Sequence, residues 1–165
     1  MIILSLRRFF VACFLVSMLW VGGCSSPATT NSSPAPNANG AAVSSQAIAG
    51  SQFNKFFPTN GNGFERVYTQ EKDGFAEAKL KKDGKDLAML AISDTISTPA
   101  AAQKFQQSSK QVAGYPAVEV GSTQTAVLVA NRFQVKVISR DPNFTAADRE
   151  AWLQKFDLNG LARLK

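Results

Sequence analysis

The chain holds 165 residues, with 18 Lys and Arg against 12 Asp and Glu, two cysteines and no histidine. That length suits one domain, or one domain with appendages. The missing imidazole excludes Ser-His and Cys-His catalysis and removes the commonest general base and metal ligand.

The first residues, MIILSLRR, put Arg7 and Arg8 ahead of an apolar run from Phe9 to Val21 that only Ser17 interrupts. A positive start, an apolar stretch of this length and small residues after it describe a secretory signal peptide. Spanning a bilayer takes ~20 apolar residues, and Gly22-Gly23 end the run short of that. Cleavage would remove Cys13 and leave Cys24 as the only mature cysteine. No intramolecular disulfide can then form, although export leads to an oxidising space. An exposed free thiol is a liability there, whereas an acylated one is not.

Val21-Gly22-Gly23-Cys24 resembles a bacterial lipobox, with an aliphatic residue three before the cysteine and two small ones between. The resemblance implies a lipoprotein signal peptide over 1–23 and a lipid on the Cys24 thiol. It also implies export and anchoring at the outer face of the inner membrane or on another bacterial membrane. Loss of Arg7 and Arg8 leaves 16 basic residues against 12 acidic, a net charge of +4. So mild a charge favours anionic headgroups or an acidic protein surface and gives no case for nucleic acid.

After Cys24, SSPATTNSSPAPNANGAAVSSQAIAG carries no charge and almost no bulky apolar residue. It cannot bury enough surface to offset the entropy of ordering it. Residues 24–50 are therefore expected to be the lipidated cysteine and a flexible tether, whose coil dimension is about 28 Å.

Residues 51–165 are expected to form a single α+β domain. Phe53, Phe56, Phe57 and Phe64 surround a Pro/Asn/Gly turn and should cap its core. Strands are predicted over 65–70, 75–81 and 86–93. In the second, Glu77, Lys79 and Lys81 alternate with Ala76, Ala78 and Leu80, the period of a half-buried strand. The third is apolar on both faces and should be central. Asp83-Gly84 between the last two is a strong hairpin signal. Thr98-Pro99 opens a predicted helix running through AAAQKFQQSSKQV and stopping at Gly114. Strands over 115–120, 123–130 and 133–140 follow, the last two joined around Asn131-Arg132. A closing helix starts at Thr145 as N-cap, with Asp148 in the capping-box position. Three leucines in LNGLARLK should dock on the sheet. The expected fold is an antiparallel sheet of about five to six strands with two main helices packed on it.

Chemical candidates are few. Asp94, in AISDT, ends an apolar strand before a loop; it either caps the turn or serves as a carboxylate acid, base or ligand. Tyr115, in GYP, either starts a strand as a buried aromatic or faces a partner. Asp83 and Asp86 lack the alternating oxygen ligands of a calcium loop, and NGNG resembles a phosphate loop only in its glycines. No metal, cofactor or catalytic residue is expected. Lys72, Lys79, Lys81, Lys82 and Lys85 are matched by Glu71, Asp73, Glu77, Asp83 and Asp86, which reads as a solvated hairpin. Towards the C-terminus Arg132, Lys136, Arg140, Arg149, Lys155, Arg163 and Lys165 outnumber their acidic neighbours. An acidic lipid or protein partner is expected there, with Arg132 and Arg140 as candidates.

GFAEAKLKKDG, AISDT, GYPA and NRFQVKVISR give the segment 53–165 the look of small cyanobacterial lipoproteins of unassigned function. Its element order resembles that of PsbP-like domains of photosystem accessory proteins, and this likeness implies architecture alone. The expected role is a non-enzymatic one, assisting or assembling a membrane complex. The alternative is a carrier of a small ligand or lipid, with its pocket between sheet and helices.

Overall fold

The computed structural model describes Gln46 to Lys165; the expected signal peptide, Cys24 and the expected tether as far as Ser45 lie outside the described residues. Seven strands form one antiparallel sheet: β1 (Phe64–Lys72), β2 (Phe75–Lys82), β3 (Lys85–Asp94), β4 (Gln111–Val112), β5 (Tyr115–Val120), β6 (Gln124–Val129) and β7 (Phe133–Ser139). Their order is β1-β2-β3-β7-β6-β5-β4, two meanders joined through β3 and β7. The helices are short: α1 (Ala100–Gln103), α2 (Ala146–Leu153) and α3 (Leu158–Ala162), with 3-10 turns over Gly50–Phe56 and Thr95–Ser97. The fold is thus α+β with an antiparallel sheet. It has seven strands in place of five to six, and small helices in place of two main ones.

Side-chain alternation decides which face is buried. Ala76, Ile92, Val135, Val127 and Ala117 stand in one row across five strands, each fully buried. Onto that face pack Leu153 of α2, Leu158 and Leu161 of α3, and Phe53, Phe56 and Phe57 from the first 3-10 turn and its exit. Phe53 meets Phe133 edge-on at 5.9 Å, and Phe57 meets Phe156 at 5.3 Å. The aromatic entry caps the core, as its composition implied. The capping box at Thr145 and Asp148 is present and starts α2.

The opposite face is covered only in part. Phe105 lies on Ala126 and Leu128, while the row Val67, Lys79, Met89, Ile138, Gln124 and Val120 is left to solvent at its ends.

Two local expectations are corrected. The predicted helix from Thr98 to Val112 shrinks to the four residues of α1, and its end becomes β4. Ser108 is the physical reason: its hydroxyl donates to the Ala117 carbonyl and accepts the Lys110 N–H, which diverts the backbone from a helical pattern. Ala113 (φ 53°) and Gly114 (φ 81°) then turn β4 back onto β5. The β6–β7 turn falls on Ala130 and Asn131, both left-handed at φ 50° and 53°, one residue earlier than Asn131-Arg132. Arg132 closes that turn, its N–H donating to the Val129 carbonyl at 3.0 Å, and its side chain reaches across to Asp94 at the end of β3.

β1 is an exposed sheet edge, and it is blunted. Asn60 Oδ1 accepts the Arg66 N–H at 2.8 Å, and a bulge interrupts the pairing between Tyr68 and Gln70.

Candidate functional site

Of the residues singled out by sequence, the structure brings Asp94 and Arg132 together. Asp94 ends β3, whose partner in β7 at that level is Phe133, so the residue before Phe133 arrives beside it. Arg132 Nε donates to Asp94 Oδ1 at 3.0 Å and Nη2 donates to Oδ2 at 2.7 Å. The same carboxylate accepts the backbone N–H of Ile96 at 3.1 Å and of Ile48 at 3.2 Å. Its side chain is fully buried, and that of Arg132 is 27% exposed. Burial pushes the Asp94 carboxyl up, but the Arg132 hydrogen bonds, the Ile96 and Ile48 N–H groups and the Arg132 charge outweigh it. The carboxyl is held below the ordinary carboxylate range.

This corner also fixes the start of the described chain. Arg132 Nη2 donates to the Gln46 carbonyl at 3.2 Å, and Gly74 N–H donates to the Ile48 carbonyl at 2.6 Å. Gly50 then presses onto the β1–β2 turn, where a Cβ would lie 2.3 Å from the Phe75 oxygen and 2.5 Å from that of Lys72. Gln46 to Gly50, which composition places in the tether, are held on the sheet. Asp94 is a clamp with all its acceptor directions in use.

A surface cleft of about 390 Å³ lies beside the clamp, lined by Thr95, Ile96, Pro99, Ala102 and Gln103 with Arg132 at its side. Its one ionisable wall residue is already committed to Asp94, so the cleft offers packing and amide hydrogen bonds more than proton transfer.

Tyr115 is half-buried against the core, and its hydroxyl meets Asn159 Oδ1 at 3.0 Å. It ties β5 to α3 rather than standing free. Arg140 follows β7 at the end opposite Arg132, about 25 Å away along the strand, and its side chain is exposed. The C-terminal basic residues therefore do not form one surface. Arg132 is clamped, Lys136 lies on the partly open sheet face, and Arg149 is buried at 2% exposure. On the β2–β3 hairpin, Asp86 pairs with Lys79 at 2.6 Å and Lys81 at 3.4 Å, so two of its lysines share one carboxylate.

Arg149 is the residue whose importance the sequence reading understated. Its Nε donates to Thr125 Oγ1 at 2.9 Å and its Nη1 to Ser139 Oγ at 3.0 Å. Ser139 Oγ in turn donates to the Phe144 carbonyl at 2.6 Å. The signal was available: Arg149 sits three and four residues before Trp152 and Leu153, on the same helix face as two core side chains.

Among the described residues no three His, Cys, Asp or Glu side chains gather as metal ligands, and no helix there is long and apolar enough to cross a membrane. The space between sheet and helices is filled by side chains such as Leu153, Leu161, Leu90 and Val137. No protein-family model, no curated protein and no solved structure matches the chain.

Proposed function

We propose that the chain is a bacterial lipoprotein, anchored through a lipid on Cys24, whose α+β domain serves a membrane-bound complex as a non-enzymatic accessory or assembly factor. The observation that carries the reading is the Val21-Gly22-Gly23-Cys24 pattern, followed by a charge-free stretch that leads directly into the folded body. The clamp supports it by giving Asp94, the best acid-base candidate, a structural task. The same corner receives the end of the tether, so pulling force from an anchor would meet the Asp94–Arg132 pair first.

The test has two arms. Metabolic labelling with a fatty-acid probe should mark the wild-type chain and fail on Cys24→Ser; persistent labelling of the variant refutes the anchor. Crosslinking in gently solubilised membranes should then recover a defined protein complex. Recovery of none, from labelled wild-type protein, refutes the accessory role and leaves the anchor standing.

A further inference from the structure

The guanidinium of Arg149 is almost wholly buried, yet among the described residues no carboxylate comes within ion-pair distance of it. A buried cation is normally paired, because leaving water is expensive without an opposite charge. Its two hydroxyl partners, Thr125 and Ser139, carry no net charge. An arginine has five N–H donors, and these two contacts use two of them. The nearby carboxylates are engaged elsewhere: Glu119 and Glu150 both bind Lys110. Glu119 is held below its ordinary value mainly by that lysine, with a smaller contribution from Arg149.

Ser139, the hydroxyl that accepts from Arg149, lines a surface cleft of about 410 Å³. Ser122, Thr123 and Arg140 line it too. The cleft thus joins one exposed guanidinium, two further hydroxyls and, behind Ser139, a buried guanidinium lacking an adjacent carboxylate. One acid shares the wall: Asp141, whose Oδ1 accepts the Asn143 N–H at 2.8 Å. From this juxtaposition we infer that the cleft between the β5–β6 turn and the segment after β7 is a binding site for a phosphate-type oxyanion, free or carried on a lipid headgroup. Arg140 and the hydroxyls of Ser122 and Thr123 contact the oxyanion, and Arg149 supplies positive charge from beneath. Guanidinium suits this role because its planar N–H fork matches phosphate oxygens. The inference does not depend on the lipid anchor.

Equilibrium dialysis of labelled inorganic phosphate against the full-length chain in non-ionic detergent, at fixed ionic strength, tests it. Saturable binding at one site per chain is expected. Arg140→Gln, at an exposed position that leaves the fold alone, should weaken it roughly tenfold. Asp141→Asn keeps the turn acceptor and removes the repelling charge, so it should tighten binding. Competition by short-chain phosphatidylglycerol below its micelle concentration separates the sources: displacement at lower concentration than phosphate identifies a headgroup site, and weaker displacement a site for the free ion. Absence of saturable binding for both probes overturns the inference. So does unchanged affinity in Arg140→Gln.

Discussion

Asp94 and Arg132 lie 38 residues apart in the chain and form a bidentate ion pair that closes one end of the β3–β7 pair. The two ends of this bond are unequally solvated, since the carboxylate is sealed and the guanidinium keeps contact with water. Removing either partner should therefore have unequal effects. Arg132→Gln strands a buried carboxylate and should destabilise the fold by about 3 kcal/mol. Asp94→Asn leaves a guanidinium that can rehydrate and should cost about 1–2 kcal/mol. Urea unfolding midpoints of the two variants measure the asymmetry; equal losses would contradict the clamp geometry.

Acid should weaken the same pair. The folded Asp94 carboxyl titrates below its unfolded value of about 3.9. Its contribution is therefore fully present above that value and is lost as pH falls through the lower folded one. Asp148, held low by its bonds to Thr145, changes in the same direction. Comparison with Asp94→Asn isolates the clamp: the stability gap between wild type and variant should be constant near neutrality and shrink below about pH 4. A gap that widens on acidification would reverse the assignment.

Gly50 is required by space, and Gly121 by backbone angle. Alanine at 50 drives a Cβ into the backbone oxygens of Lys72 and Phe75, which cannot move without opening the β1–β2 turn. Gly50→Ala should lower stability by about 2–3 kcal/mol. Gly121 has open space around it but φ +59°, so Gly121→Ala should cost about 1 kcal/mol. Thermal unfolding of both variants checks the order, and hydrogen exchange at Gly74 and Ile48 should rise only in the first.

The capping box sets the start of α2. Thr145 Oγ1 accepts the Asp148 N–H at 3.3 Å, and Asp148 Oδ2 accepts the Thr145 N–H at 2.8 Å. Thr145→Ala should destabilise by about 1 kcal/mol. Because α2 carries Arg149, the same variant should loosen the Thr125 and Ser139 contacts, read as altered side-chain N–H signals of Arg149 in NMR spectra. Unperturbed Arg149 signals would separate the cap from the buried guanidinium.

The sequence by itself determined most of the local chemistry. Alternation in Ala76 to Lys81, the Asp83-Gly84 turn and the Thr145 capping box depend on neighbours a few residues away, so they survive without tertiary context. The Val21-Gly22-Gly23-Cys24 pattern, which resembles a lipobox, is of the same kind, a local signal that lies outside the described residues. The helix expected after Thr98 failed because Ser108 bonds to Ala117, a contact that propensity does not contain. Only the tertiary structure decided which charges are spent and which are not. Asp94 and Arg132 are separate candidates in the sequence, and the side-by-side packing of β3 and β7 joins both in one clamp. Arg149 looked like one basic residue among seven until packing on the sheet enclosed it. Burial and pairing depend on strand order, and strand order is a long-range property of the folded chain.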